Sequence, residues 1–294
     1  MAVTAKTEKT RVELAPITLE DAGAVGEFLH THLNERVTAA AWARAVDVPW
    51  TVERPNAGFM LVEAGRIVGV HLAFYSERTI AGATERFCNL GAWSVLPEHR
   101  FHSLRLLKAL LAQDGYHFTD LSPSGNVLGI NTRLGFRFLD TTTALMPNLP
   151  LPSLPGRTTI SSDPAVIERT LEGPELAIYR DHAAAAAARH LVIVRGGEHC
   201  HVIFRKDRRK GVPLFASILY VSNPAVFADA TGPLGRHLLL RHGTAATLVE
   251  RAVVADAPRR SFEVASPRRK MFRSAQLEPR RIDYLYSELT CLSW

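Results

Sequence analysis

The sequence predicts an α/β chain in two domains, on three observations. The chain has 294 residues, room for two cores of about 150 residues each. Short apolar runs alternate along it with stretches whose apolar residues recur at i, i+3, i+4 and i+7. The stretch MPNLPLPSLPG (146–156) holds four prolines, which restrain the backbone to extended forms and interrupt helices. That stretch places a boundary near 150 to 160, so residues 1–150 and 151–294 are the expected domains.

The elements follow in order. Residues 1–10 read as a loose tail, and 12–14 as a first short strand. Thr18-Leu19-Glu20-Asp21 opens a helix with a near capping box, with Val25, Phe28, Leu29 and Leu33 as its apolar face. A second helix is expected over 38–46, ending before Pro49. Strands at 59–62 and 67–74 are joined by Ala64-Gly65, and a strand over 87–95 completes a meander. The segment 89–140 then reads NLGAWSVLPEHRFHSLRLLKALLAQDGYHFTDLSPSGNVLGINTRLGFRFLD. An apolar run stops at Pro97, a polar turn follows, and Leu104, Leu106, Leu107, Leu110 and Leu111 mark an amphipathic helix over 103–113. A further apolar run and a further helix end at Leu134-Gly135-Phe136.

The second half repeats this grammar weakly. A helix is expected over 174–190, including six alanines at 183–188. Runs 191–195 and 201–204 form a hairpin across Gly196-Gly197-Glu198. A strand over 214–221 ends at Ser222-Asn223-Pro224, a helix over 234–241 stops at Gly243, and 246–249 is the next strand. Residues 282–289 read as a closing strand.

Composition bounds the class. At 47% hydrophobic and 22% charged residues the chain is an ordinary globular protein. No apolar run reaches the ~18 residues of a membrane span, and the polar MAVTAKTEKT start has no signal-peptide core, so a cytoplasmic protein is expected. Cys88, Cys200 and Cys291 are odd in number and widely spaced, which predicts neither a metal site nor a disulfide framework. Residues 1–150 hold 14 Lys and Arg against 15 Asp and Glu; residues 151–294 hold 21 against 14, so the basic character belongs to the second half. It gathers in Arg205-Lys206-Asp207-Arg208-Arg209-Lys210, expected between strands, and in three Pro-Arg-Arg tripeptides at 258–260, 267–269 and 279–281. Such patches serve as solubilising surface or meet anionic ligands. Only Phe262 and Phe272 offer stacking faces there, so nucleic acid is disfavoured.

The segment 89–140 resembles the GNAT (Gcn5-related N-acetyltransferase) superfamily, where a strand ending in V-x-P-E-x-R feeds a pyrophosphate loop and a helix, and a later helix ends in L-G-F. Val95, Pro97, Glu98, Arg100, Leu134, Gly135 and Phe136 stand at the matching positions. Order of elements extends a looser match over 11–147, and the second half resembles a diverged copy. The resemblance implies two GNAT-like domains, each a mixed, mostly antiparallel sheet flanked by helices. It also implies an N-acyltransferase that moves an acyl group from acetyl-CoA or another acyl-CoA to a small-molecule amine by direct attack.

The same resemblance assigns site residues. The family loop is rich in glycine; here Arg100, Phe101, His102, Ser103, Leu104 and Arg105 align with it. Glycine there lets backbone N–H groups approach a phosphate. In its absence Ser103 is expected to cap the helix, with Arg100 and Arg105 as donors to the pyrophosphate and His102 and Leu104 beside it; alternatively, the loop no longer binds coenzyme A. Backbone amides near Trp93 and Val95 are expected to polarise the acyl carbonyl. Trp93 either lines the acyl pocket or joins the core. Ser124 stands where the family has an Asn that caps the helix and contacts coenzyme A. Asn131 replaces the family's acid tyrosine and cannot donate a proton in that way. Base candidates are His71, Glu85, Glu98 and His99, with Glu85 first. Tyr284, Tyr286 and Glu288 alternate on the expected closing strand; they form either a solvated face or a polar pocket in which Tyr284 or Tyr286 supplies the missing acid. A catalytically degenerate GNAT module, binding a ligand, polyanion or partner protein, is the competing expectation.

Overall fold

The computed structural model describes residues 11–152, 158–209, 212–254, 258, 260–265 and 268–293. The tail at 1–10, the end of the proline-rich stretch (153–157), Lys210, Arg259 and Pro267 lie outside the described residues. The chain divides into two compact units. One takes the residues up to Asp47, Arg54–Ala73 and Ala92–Gly115; the other takes Val48–Glu53, Phe74–Gly91 and the chain from Tyr116 onward.

In chain order the first unit holds β1 (Glu13–Pro16), α1 (Ala22–His32), α2 (Ala39–Val46), β2 (Gly58–Glu63), the start of β3 (Arg66–Ile80), the end of β4 (Ala83–Val95), a 3-10 turn (Pro97–His102) and α3 (Ser103–Leu111). The expected periodicities produce them. Val25, Phe28 and Leu29 are the buried face of α1, and Leu106, Leu107 and Leu110 that of α3. Thr38 caps α2 by accepting from the Ala41 amide at 3.2 Å. Gly26 lets α1 meet α2 backbone to backbone, since a Cβ there would lie 2.5 Å from the Ala39 carbonyl oxygen. The β2–β3 turn uses Ala64 (φ 48°) and Gly65 (φ 76°), the left-handed pair a tight hairpin demands. Val12, Leu61, Val68 and Leu106 form the local core.

The second unit continues β3 and β4 and adds β5 (His117–Asp120), α4 (Gly125–Arg133), β6 (Arg137–Phe138), β7 (Thr143–Pro147), β8 (Thr159–Ser161), α5 (Pro164–Thr170), α6 (Gly173–Ala183), β9 (Arg189–Arg195) and β10 (Glu198–Arg209). Then follow β11 (Val212–Val221), α7 (Pro224–Asp229), α8 (Thr231–His242), β12 (Ala246–Glu250), α9 (Arg251–Val254), β13 (Phe262–Val264), β14 (Met271–Arg273), a 3-10 turn (Pro279–Arg281) and α10 (Glu288–Cys291). Two seven-stranded sheets result, in the orders β1-β2-β3-β4-β5-β14-β6 and β13-β7-β12-β11-β10-β9-β8. Each contains one parallel pair, β4–β5 and β11–β12; the other described pairings are antiparallel. Each half of the sequence also lends a strand to the other sheet. β7 pairs with β12, Ala246 opposite Pro147, and β14 pairs with β5, Met271 opposite Asp120.

Three expectations are corrected. The helix expected over 174–190 ends at Ala183. Ala185, Ala187 and Ala188 are buried, and the amides of Ala187 and Ala188 turn to the Thr290 carbonyl instead of continuing the helix; burial overrides alanine's propensity. The basic run from Arg205 to Arg209 is not a loop but the end of β10, where Arg205 and Asp207 form a buried ion pair. Residues 282–289 are not a strand. Tyr286 takes φ 54°, which no strand accommodates, and α10 starts at Glu288. No described helix is long and apolar enough to cross a membrane.

Candidate active site

The parallel ladder between β4 and β5 is three residues long, from Phe87 opposite His117 to Asn89 opposite Thr119. Past it β4 runs on to Val95 while β5 ends at Asp120, so the two strands part. Gly91 and Ala92 mark the parting: a Cβ on Gly91 would lie 2.9 Å from Phe74 and 3.3 Å from the Glu288 side chain, and Ala92 takes φ 49°.

A buried polar cluster fills the wedge in the second unit. Asn89, Thr119, Asp120, Asn131 and Glu288 are all buried. The Asn89 amide donates to Thr119 Oγ1 at 3.1 Å, and its Oδ1 accepts from the Glu288 backbone at 3.1 Å. Ser122 donates to Glu288 Oε1 at 2.7 Å, and Asn131 Nδ2 donates to Asp120 Oδ2 at 2.8 Å. Glu288 Oε2 and Asn131 Oδ1 are buried without a hydrogen-bond partner among the described residues. Burial pushes the Glu288 carboxyl up to about 7, against the pull of Ser122 and Arg205. Burial, and then the Glu288 charge, push Asp120 up to about 7, against the Asn131 bond. Two neighbouring carboxyls that both resist ionisation near neutrality are placed to exchange protons there. A carboxylate oxygen with no partner is an open acceptor position.

The segment that carries Glu288 is pinned. Arg78 donates to the Leu285 carbonyl at 2.8 Å and pairs with Asp283. Arg205 donates to the Leu289 carbonyl at 3.1 Å, and Ser287 caps α10 by accepting from the Leu289 amide.

The second sheet repeats the geometry. The β11–β12 ladder is again three residues, from Phe215 opposite Ala246 to Ser217 opposite Leu248, and β11 runs on to Val221. Here Glu250 stands past the ladder. Lys270 donates to its Oε1 at 2.6 Å, Tyr284 donates to its Oε2, and the Lys270 ammonium lies 3.3 Å from the centre of the Tyr284 ring. A cavity of about 310 Å³ opens beside it, with Tyr220, Arg281 and Tyr284 in its wall.

The expected site residues distribute as follows. Tyr284 is committed to Glu250, and burial raises its hydroxyl far above the usual range. Tyr286 donates to Asp181 at 2.7 Å and is raised likewise, by burial first and then by that bond. Glu85 Oε2 lies 2.8 Å from His117 Nε2. Asn131 is enclosed with Asp120, and Ser124 occupies the N-cap position of α4 without a side-chain capping bond.

In the first unit, Trp93 stacks on His71 at 4.8 Å and 4°. Val95 packs against Gly69, and His99 lies 3.0 Å from Glu63. The glycine-free loop is the 3-10 turn. Ser103 is the first residue of α3 rather than its cap; its amide donates to the Arg100 carbonyl. Arg100 and Leu104 are exposed. Arg105 donates to the Val12 carbonyl at 3.0 Å, and His102 Nδ1 lies 3.3 Å from the same guanidinium nitrogen.

The structure brings Asn131 and Glu288 into one cluster and adds Asn89, Asp120 and Ser122, which sequence reasoning passed over. Asn89 and Ser122 had no signal; Asp120 had one, a carboxylate inside an apolar run (HFTDL), the same that marks Glu288 in SELTCL. Such a residue enters a core only when paired or functional.

No family model matches the sequence, and no curated protein does. Solved structures do. A GCN5-related N-acetyltransferase from Anabaena variabilis is 10% identical with a TM-score of 0.56, over 89% of this chain and 72% of that one. A probable N-acyltransferase from Enterococcus faecalis is 11% identical with a TM-score of 0.58, over 92% and 74%. The Saccharomyces cerevisiae N-myristoyltransferase with bound myristoyl-CoA is 10% identical with a TM-score of 0.51, over 95% and 89%. Near-complete coverage at such low identity is a likeness of fold, and it extends across both sheets. The chain therefore carries the fold of the GCN5-related N-acetyltransferase superfamily, in two GNAT-like domains.

Proposed function

We propose that the chain is an N-acyltransferase that moves an acyl group, acetyl in the first instance, from a coenzyme A thioester to an amine by direct attack. Its two domains would be residues 1–150 and 151–294, and its setting the cytoplasm. The observation that carries this reading is the carboxyl pair Asp120 and Glu288 at the parting of β4 and β5, with Glu288 Oε2 unbonded. The neighbours' names supply the donor class, since one of them holds myristoyl-CoA.

The chemistry balances on that pair. The acceptor arrives as an ammonium and gives a proton to Glu288. Its nitrogen then bonds to the thioester carbonyl carbon, a β4 backbone amide just past Asn89, at Leu90 or Gly91, steadies the oxyanion, and the carbon–sulfur bond breaks. Asp120, which begins protonated, gives its proton to the departing thiolate and takes the second proton that the nitrogen sheds as the amide forms; Glu288 then releases its proton to solvent. The pair fills the acid role that Asn131 cannot. Because Glu288 is sealed, the tail segment carrying it must yield when substrates arrive.

One feature favours the second reading, a degenerate module that binds a ligand, polyanion or partner protein. The 3-10 turn bonds its own amides, and Arg105 serves Val12, which leaves fewer donors for a pyrophosphate. Isothermal titration with acetyl-CoA and free coenzyme A separates the two, followed by turnover with a panel of amines. Binding at about micromolar Kd with acyl transfer supports the enzyme. No binding to either compound overturns it in favour of the module.

A further inference from the structure

A cleft of about 640 Å³ lies in the second unit between the β8 edge of the second sheet and α8. Ser162 stands at its floor, with its hydroxyl 3.0 Å from His237 Nε2 and 3.0 Å from His242 Nε2. A hydroxyl has one proton to give, so at least one of these imidazoles donates to it through Nε2–H. His242 is wedged against the Phe204 ring, with ring centres 5.0 Å apart.

The surroundings are cationic. Arg236 and Arg241 line the cleft, and both are exposed. Arg189 and Lys206, from β9 and β10, lie close enough to bear on His242. Burial first, and then His237, Lys206 and Arg189, push that imidazole down to about 4. Burial and Arg241 lower His237. Asp163 is the one carboxylate among the described lining residues, and it is engaged: its Oδ1 accepts from the Ala165 amide. Two guanidinium forks, two imidazoles and the hydroxyls of Ser161 and Ser162 line the cavity against the single carboxylate of Asp163. Ile160 and Leu240 supply an apolar wall.

We propose that this cleft binds the phosphate group of a small organic phosphate monoester. A carboxylate has two oxygens to offer; the donors here number more and suit a tetrahedral dianion with three terminal oxygens, which arginine forks grip in bidentate fashion. The volume exceeds a bare phosphate and sits in the range of pockets for small organic molecules. β8 lies three strands from β11 in the sheet, about 14 Å at ordinary strand spacing. The cleft is thus apart from the β11–β12 parting and shares no lining residue with either carboxylate cluster, so the proposal stands whether or not the chain transfers acyl groups.

The test is isothermal titration of the full chain with glycerol 3-phosphate, inorganic phosphate, sulfate, acetate and glycerol, in chloride buffer. Glycerol 3-phosphate should bind one-to-one, tighter than inorganic phosphate, and shift the His237 and His242 ring-proton resonances. The double variant R236A/R241A should weaken it at least ~10-fold and leave acetyl-CoA titration unchanged. Both arginines are exposed, so the variant should keep its melting temperature. If it does not, S162A serves instead and should weaken binding several-fold. No heat from either phosphate at about 10 mM overturns the proposal. So does an affinity that these variants leave unaltered, or sulfate and acetate binding as well as the phosphates. Inorganic phosphate binding as tightly as glycerol 3-phosphate would overturn the organic half of it.

Discussion

The two strand partings share a backbone plan and differ in charge. Each follows a three-residue parallel ladder, each has a carboxylate just past the ladder, and the Ile282–Leu292 stretch reaches both. At the first, Asp120 faces a second carboxyl and an amide, and a carboxylate oxygen stays unbonded. At the second, Glu250 is met by an ammonium and a phenol. One neighbourhood lifts its carboxyls to where protons move near neutral pH; the other ties its carboxylate to the Lys270 ammonium and the Tyr284 hydroxyl. A fold can thus present the same opening twice and arm only one, because buried side chains, not strand order, set the cost of moving a proton.

Glu288→Gln attacks the armed side most directly. It keeps shape and removes the base, so kcat in an acetyl-transfer assay should fall by roughly 10²–10⁴ while the melting temperature holds or rises. A variant that retains turnover would sink the role assigned to Glu288. Lys270→Met attacks the quenched side. It removes the buried ammonium from the half-buried Glu250 carboxylate, and urea unfolding should show a loss of up to about 3 kcal/mol. A small effect would mean that the Lys270–Glu250 pair is not what separates the two sites. Gly91→Ala sharpens the contrast from within the wedge. Its Cβ meets Phe74 and Glu288, and overpacking should cost about 1–3 kcal/mol and depress turnover together.

The smallest effect is on stability against pH. Asp120 and Glu288 are raised in the folded state. They keep protons that the unfolded chain releases, so their contribution weakens as pH rises from about 4 through 7. His71, His182 and His201, held neutral by burial at about 3, and His190, at about 4, act oppositely. Their contribution is present above about 6.5 and is lost as pH falls toward those values. Over the shared range the four histidines outweigh the two carboxyls, so thermal melting should rise to about pH 6.5 and fall from there toward 7, and Glu288→Gln should steepen the rise and flatten the fall. An unchanged profile would show that Glu288 titrates normally.

Much of this was legible in residues. The leucines of α3, the left-handed turn at Ala64-Gly65 and the helix stop at Gly243, which takes φ 68°, follow from periodicity and local sterics. The wedge was half legible. Asn131 could be placed by its spacing from Leu134-Gly135-Phe136, but its partner Asp120 is supplied by a neighbouring strand. Glu288 was read as part of an alternating strand face. Its actual environment depends on Asn89 and Ser122, about 200 and 166 residues away in sequence, beyond any local pattern. The alanine run failed for the same reason: its amides found Thr290.

The exchange of β7 and β14 between sheets has a consequence for synthesis. β14 sits between β5 and β6, so about 150 residues must leave the ribosome after Asp120 before Met271 can pair with it. The first sheet cannot be completed while the rest of the chain is being made, and its β5 and β6 edges wait exposed in the meantime. Such long loop closures slow folding and leave edges open to wrong partners. A nascent chain stalled before residue 271 should therefore be sensitive to protease within 117–138, and protection there should arrive in one late step.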